Sequence, residues 1–244
     1  MAVHYRTQGF IFKRADRAEA DRVFSVFTQD LGRLEIFAKA IRKVNSKLKS
    51  GIDAFYLSEI EFIQGKNRKT LTDAILIKRF SSISGNPKKL EISAKIAEDL
   101  SVFIKGQEKD EKIFNLLKDT FIKLNDYTLT PKTYTPIYIY FMWNFFSELG
   151  YAPETQKCAG CKDKLNPYGL YFSNKEGGII CKKCFNIDRQ ALKINSDSVK
   201  MLRIILKNDW QTFSRLKIEE SSQKLLERIS ENYRLHMVSS HSFS

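Results

Sequence analysis

The chain has 244 residues, 43% of them hydrophobic, with 18 phenylalanines and a formal net charge of +13. That apolar content excludes a disordered chain, and the length suits two modest domains or one domain with a metal-braced insert. The charge points to a polyanionic partner, either nucleic acid or an anionic membrane surface, with plain solubility as the bland alternative.

The excess is concentrated early. Residues 1–80 hold 16 Lys and Arg against 9 Asp and Glu, whereas residues 81–150 hold 9 of each. The same first 80 residues read as strands: 7–13, 23–27, 34–38, 55–64 and 69–80 are β-prone, with turns at 30–33 and 65–68. Five short strands suit a small barrel, and an OB-fold is the commonest basic one. Residues 40–53 break the β pattern between the third and fourth strands, where an OB-fold often places a helix or long loop. The densest charge lies at Arg33, Lys39, Arg42, Lys43, Lys47 and Lys49, opposed only by Glu35. Phe24, Phe27 and Phe37 are on the neighbouring strands. Cations that track phosphates, interleaved with rings on which bases stack, are what a barrel needs to bind single strands, with an affinity that falls steeply with salt. A solvated lysine face over phenylalanines that merely fill the barrel is the alternative.

A serine, glycine and proline cluster at 81–87 marks a boundary, and helical periodicity follows. Leu90, Ala94, Ala97, Leu100, Val102 and Ile104 trace one apolar side, and Ile113, Leu116, Leu117, Phe121 and Leu124 trace another. Thr135-Pro136 opens an aromatic helix running to Gly150. Its Tyr138, Tyr140, Phe141, Trp143, Phe145 and Phe146 surround the axis, which predicts core packing over a base-stacking platform. The most apolar stretch, 137–149, is too short and too polar to span a bilayer, and the first residues lack a signal peptide's apolar core. Ser196 is expected to cap a helix through Lys207, and 218–235 to form the last one.

The only four cysteines stand as Cys158-Ala-Gly-Cys161 and Cys181-Lys-Lys-Cys184. Two such pairs at this spacing match a four-thiolate zinc site, because each short knuckle turns two sulfurs toward one ion. Gly160 stands where a knuckle often needs positive φ. Two disulfides or four unrelated thiols are the alternatives, and the spacing favours one Zn2+ per chain. Four thiolates close the ligand shell, so the ion is expected to be structural, in a reducing cytoplasm.

No catalytic constellation is visible. His4, His236 and His241 lie near the termini, Gly65-Lys66 lacks the preceding glycine of a P-loop, and no carboxylate pair stands out. An enzyme is therefore not expected. The predicted fold class is β + α: an N-terminal OB-fold barrel, 1–80, then an all-α domain, 81–244, carrying the zinc module at 151–187.

The order of these parts resembles the RecO family of DNA repair and recombination mediators. Glu19-Ala20-Asp21-Arg22-Val23, Phe27-Thr28, Leu31-Gly32-Arg33-Leu34, Ala38-Lys39 and Ser46-Lys47-Leu48 carry the resemblance in the first domain. Leu149-Gly150-Tyr151-Ala152-Pro153 before the first cysteine pair, then Phe172-Ser173 and Gly177-Gly178 before Cys181, carry it in the second. One departure is Ala40, where the family commonly has glycine after the Ala-Lys pair. The resemblance implies binding of single- and double-stranded DNA, annealing of complementary strands, and action with RecR to help RecA replace single-strand-binding protein, whose acidic C-terminal tail it contacts. It places DNA contacts on Arg33, Lys39, Arg42, Lys43, Lys47 and Lys49, with Arg14 and Arg22 added. A nucleic-acid-processing enzyme with an unrecognised active site and a basic adapter for acidic protein partners are the competing functions.

Overall fold

The computed structural model describes residues 3–126, 134–217 and 219–242. The chain packs as two compact units, Met1–Tyr134 and Thr135–Ser244. Strands β1 (Val3–Arg17), β2 (Asp21–Thr28), β3 (Gly32–Ala38), β4 (Tyr56–Gln64) and β5 (Lys69–Arg79) form a closed barrel in the order β1-β2-β3-β5-β4. A short parallel pairing, Ile36 with Lys69 and Phe37 with Thr70, closes it. Strict alternation along β3 explains its two faces: Leu34, Ile36 and Ala38 are buried while Arg33, Glu35 and Phe37 turn outward. Ile11, Phe24, Val26, Ile60, Phe62 and Leu71 complete the barrel core. Gly9 lets β1 pass close to β2, since a Cβ there would sit 2.4 Å from Val26 Cγ1.

Helices α1 (Ser81–Ser84), α2 (Pro87–Phe103) and α3 (Glu111–Asp126) belong to the same unit as the barrel. Asn86 caps α2 by accepting the Lys88 and Lys89 N–H groups, with Pro87 at the first helical position. The buried face of α2 is Ile92, Ile96, Ala97 and Leu100, not the expected line through Leu90 and Ala94, both of which are exposed. Buried Lys89 explains the rotation: its Nζ donates to Ser82 Oγ and to the Asn125 carbonyl, each at 2.9 Å, joining α1 to the end of α3. Phe121 of α3 packs on Phe10, Phe55 and Phe80.

The second unit contains α4 (Tyr134–Glu148), α5 (Ser196–Leu206), α6 (Trp210–Arg215) and α7 (Glu220–Ser242). It is not all-α. Strands β6 (Leu170–Ser173), β7 (Gly178–Cys181) and β8 (Leu192–Ile194) form a small antiparallel sheet in the order β7-β6-β8. The aromatics of α4 are buried on every side, so they are core and not a stacking platform. Trp143 donates its indole N–H to Ser230 Oγ at 2.8 Å and stacks on Tyr233. The α5 cap is Asn195, one residue before the expected Ser196, because its side chain accepts the Ser198 N–H. The last helix runs seven residues past its expected end at Leu235, and its expected first residue, Ile218, lies outside the described residues. Among the described residues, no helix is long and apolar enough to cross a membrane.

Candidate metal centre and nucleic-acid interface

The β6–β7 hairpin brings the second cysteine pair back against the first. Cys181 ends β7, and Cys184 follows on a 3-10 turn, Lys182–Ile187. The 154–159 segment is laid along β7 by hydrogen bonds from Ile179 N–H to the Glu154 carbonyl and from Ala159 N–H to the Ile179 carbonyl. The knuckle itself is closed by Cys158 N–H to Asp163 O and Lys162 N–H to Cys158 O. The four Sγ atoms of Cys158, Cys161, Cys181 and Cys184 lie within 4.8 Å of one another, and Cys161 and Cys181 are 3.9 Å apart. A tetrahedron of thiolates about 2.3 Å from a metal has edges of about 3.8 Å, so the four sulfurs match such an ion. None of the four is in a disulfide.

Burial raises the Cys158 thiol, but N–H donors from Cys161, Cys181 and Gly160 outweigh it and bring it down to about 6. Burial and the three other sulfurs push Cys184 up to about 12. The quartet thus favours one thiolate and resists several together, the condition that a cation relieves. Cys158 and Cys184 pack with Ala159 and Ile180, while Cys161 is exposed.

Gly160 does not supply the left-handed residue expected of it. Lys162 does, at φ +65°. Gly160 is instead a close-approach position, since a Cβ there would meet Cys184 Cβ, Cys184 Sγ and Ile187 Cδ1, all at 3.2 Å. Arg203 of α5 ties the module to the helices by donating from Nε to the Thr155 carbonyl at 3.0 Å.

In the barrel unit, the basic residues divide into two groups. Arg14 pairs with Asp53, and Arg22 and Arg42 share Asp16, the Arg22 bond being 2.7 Å and the Arg42 contact 3.6 Å. The Arg22 hydrogen bond holds the Asp16 carboxyl below its usual range. Arg33 is tied more firmly: its Nη1 donates to the carbonyls of Ser101 at 2.9 Å and Ile104 at 2.7 Å, at the end of α2. Lys39, Lys43, Lys47 and Lys49 are exposed and enter no ion pair among the described residues. They ride on the 39–50 segment, which is docked to the β1–β2 turn by Arg42 N–H to the Ala20 carbonyl and Ala40 N–H to Asp21 Oδ1.

Phe24 and Phe27 are fully buried, so they fill the interior and present no ring to a base. Phe37 is the exception. Its half-buried ring faces outward under the Arg68 guanidinium, 4.1 Å from the ring centroid. Sequence reasoning treated 65–68 as a turn and rejected Gly65-Lys66 as a P-loop, passing over Lys66, Arg68, Lys69 and Lys105 as a charged group that lines one cleft. The clustered charge of that turn was the available signal.

The family model described as Recombination protein O N terminal matches residues 1–80, and the one described as Recombination protein O C terminal matches residues 86–241. A protein named DNA repair protein RecO from Dehalococcoides mccartyi is 34% identical over 223 residues, covering 91% of this chain and 86% of that protein. Proteins of the same name from Acetivibrio thermocellus and Caldanaerobacter subterraneus are 25% and 26% identical. Those alignments cover 94% and 95% of this chain, and 90% and 92% of the respective proteins.

Proposed function

Because the chain belongs to the RecO family, we propose that it is a DNA repair and recombination mediator that binds single- and double-stranded DNA and anneals complementary strands. In this reading the barrel at 1–80 is an OB-fold that holds DNA, and residues 81–244 form the partner-binding part, braced by one structural Zn2+ at Cys158, Cys161, Cys181 and Cys184. The protein works in the bacterial cytoplasm, at the nucleoid. With RecR it helps RecA replace single-strand-binding protein, whose acidic C-terminal tail it binds. It acts as a binding protein without turnover.

The observation that carries the DNA contact is the set of exposed lysines Lys39, Lys43, Lys47 and Lys49 on one segment docked to the β1–β2 turn. Annealing needs no catalytic residue. A cationic surface lowers the repulsion between two phosphate backbones and raises their local concentration. The strand order β1-β2-β3-β5-β4 is that of a five-stranded Greek-key barrel, which supports the OB-fold reading.

The test is a triple Lys39→Glu, Lys43→Glu and Lys47→Glu variant, chosen because none of the three lysines holds the fold together. Its affinity for single-stranded DNA and the salt dependence of that affinity should both fall, and annealing of strands coated with single-strand-binding protein should be lost. Unchanged affinity and salt slope would remove this face from the mechanism.

A further inference from the structure

The cysteine quartet is lopsided in its exposure. Cys158 and Cys184 are buried with Ala159 and Ile180, whereas Cys161 is exposed and Cys181 is half-buried. The two accessible sulfurs are also neighbours, 3.9 Å apart, and they come from different knuckles, 20 positions apart in the chain. Bracing a fold does not require one edge of the quartet to face solvent.

Backbone hydrogen bonds set this edge in place. Cys161 sits in the turn closed by Cys158 N–H to Asp163 O at 2.8 Å and Lys162 N–H to Cys158 O at 2.9 Å. Cys181 is the last residue of β7, where it pairs with Leu170 of β6. Ala159 N–H donates to the Ile179 carbonyl at 2.7 Å and so fixes the first knuckle to β7. A disulfide has its sulfurs about 2.05 Å apart, so the pair has about 2 Å to close, and exposed Cys161 has room to turn toward Cys181.

Exposure, thiolate character and a second thiol within reach are what make a cysteine pair oxidisable. A bound zinc ion keeps its ligand sulfurs as thiolates. We propose that Cys161 and Cys181 form a peroxide-reactive pair, whose oxidation exchanges the metal site for a disulfide between the two knuckles. The Cys161 thiolate attacks one oxygen of hydrogen peroxide; the O–O bond breaks, hydroxide leaves and the sulfur becomes a sulfenic acid. The Cys181 thiolate then attacks that sulfur; the S–O bond breaks, a second hydroxide leaves and the S–S bond forms. The two sulfurs thus give up two electrons, which reduce one peroxide to two hydroxides.

Only Cys158 and Cys184 then remain as ligands, too few to retain the ion. The new bond ties the same two knuckles across 20 positions, so the module stays folded. A disulfide inside one Cys-x-x-Cys knuckle would leave the two knuckles untied. The inference rests on the zinc reading above and adds to it a modification site at the open edge of the quartet.

The test treats the full zinc-loaded chain with a small excess of hydrogen peroxide. Zinc release is followed with a chromogenic chelator, and disulfides are mapped by mass spectrometry after the free thiols are alkylated. One zinc per chain should be released as two thiols are lost. The product should carry a Cys161–Cys181 disulfide with Cys158 and Cys184 alkylated, and dithiothreitol with zinc should restore the starting protein. The oxidised, metal-free protein should melt above the reduced, metal-stripped one. Cys161→Ser should slow zinc release at least about tenfold. If that variant does not retain zinc, the disulfide map of the wild type decides.

Untreated protein without zinc would remove the zinc reading, and its disulfide map after peroxide would still test the pair. Zinc that is present and survives the peroxide overturns this proposal alone. So does a disulfide within either knuckle, one that uses Cys158 or Cys184, or irreversible oxidation of Cys161 to a sulfinic acid. Undiminished release from zinc-loaded Cys161→Ser, or an oxidised protein that melts no higher than the stripped one, would overturn it as well.

Discussion

Asp21 accepts a 2.7 Å hydrogen bond from the Ala40 amide, and Ala40 itself is held at φ +53°. An alanine in that left-handed region carries a strain of about 1–2 kcal/mol, which glycine avoids. Ala40 thus keeps a glycine-like backbone, and the Asp21 carboxylate is one of the contacts that hold it there. Ala40→Gly should raise stability by about 0.5–1 kcal/mol after the extra chain entropy of glycine is subtracted. Asp21→Ala should lower it by about 1–2 kcal/mol and loosen the segment that carries Lys39 and Lys43. Urea melts of the two variants check both signs.

Arg33 and Lys43 belong to the same basic cluster in the sequence, yet their surroundings give opposite expectations. Arg33→Ala leaves the Ser101 and Ile104 carbonyls without their charged donor and should cost about 1.5–3 kcal/mol of stability. Lys43→Ala touches nothing in the fold and should leave the melt unchanged while weakening DNA binding. Measuring both properties for both variants separates the roles. A stable Arg33→Ala protein with selectively lost DNA affinity would reverse the assignment for Arg33.

How far the sequence was readable follows from the range of the forces involved. The β-prone run at 34–38 placed β3 correctly, and its residues alternate because one face is buried and the other wet. The cysteine spacing foretold the sulfur cluster because two-residue knuckles constrain geometry locally. On α2, Ala97 and Leu100 are buried as expected, but Leu90 and Ala94 were misread because the start of the helix is placed by Lys89 reaching Ser82 and, 36 positions away, Asn125. Strand β8 went unread because it is three residues long and pairs with β6 far from the cysteine spacing that implied the β6–β7 hairpin. The contacts of Arg33 with the end of α2 and of Phe37 with Arg68 were equally hidden, since charge and aromaticity are visible in a sequence while their partners are not.

Gly178 and Gly160 should respond differently to the same substitution. At Gly178 an added Cβ would lie 2.4 Å from the Glu154 carbonyl oxygen and 2.7 Å from its nitrogen, backbone atoms in a bridge that orients the first knuckle. At Gly160 the nearest atoms are 3.2 Å away and belong to side chains. Gly178→Ala is therefore expected to destabilise by about 3 kcal/mol or more, and Gly160→Ala by about 1 kcal/mol. Equal melts for the two would show that the 154–159 segment can move away from β7.

Lys89 predicts a pH effect. Burial lowers its pKa from the ordinary amine value, with Asp126 acting in the opposite direction, while Ser82 and Asn125 accept its hydrogen bonds. The unfolded chain then binds more protons than the folded one in the interval below the unfolded pKa of about 10.4, so stability rises with pH there. The stability difference between the wild type and Lys89→Met should accordingly grow in favour of the wild type as pH rises toward that unfolded value. A constant difference across that interval would mean that Lys89 keeps an ordinary pKa.

Metal content provides the most direct check on the second unit. One equivalent of zinc per chain is expected from protein purified under reducing conditions. Cys158 is fully buried and receives the Cys181 N–H at 3.3 Å, so Cys158→Ser should lose both a ligand and the packing set by it. Structural zinc couples binding to folding, so either this change or prolonged chelation should remove several kcal/mol of stability. The barrel's salt-dependent DNA contact should survive, because the lysines at 39–49 and the cysteines belong to different compact units. A metal-free Cys158→Ser protein that melts like the wild type would show that the two knuckles need neither an ion nor the Cys158 sulfur to stay together. Such a variant that had also lost DNA binding would give the quartet a direct role at the nucleic acid.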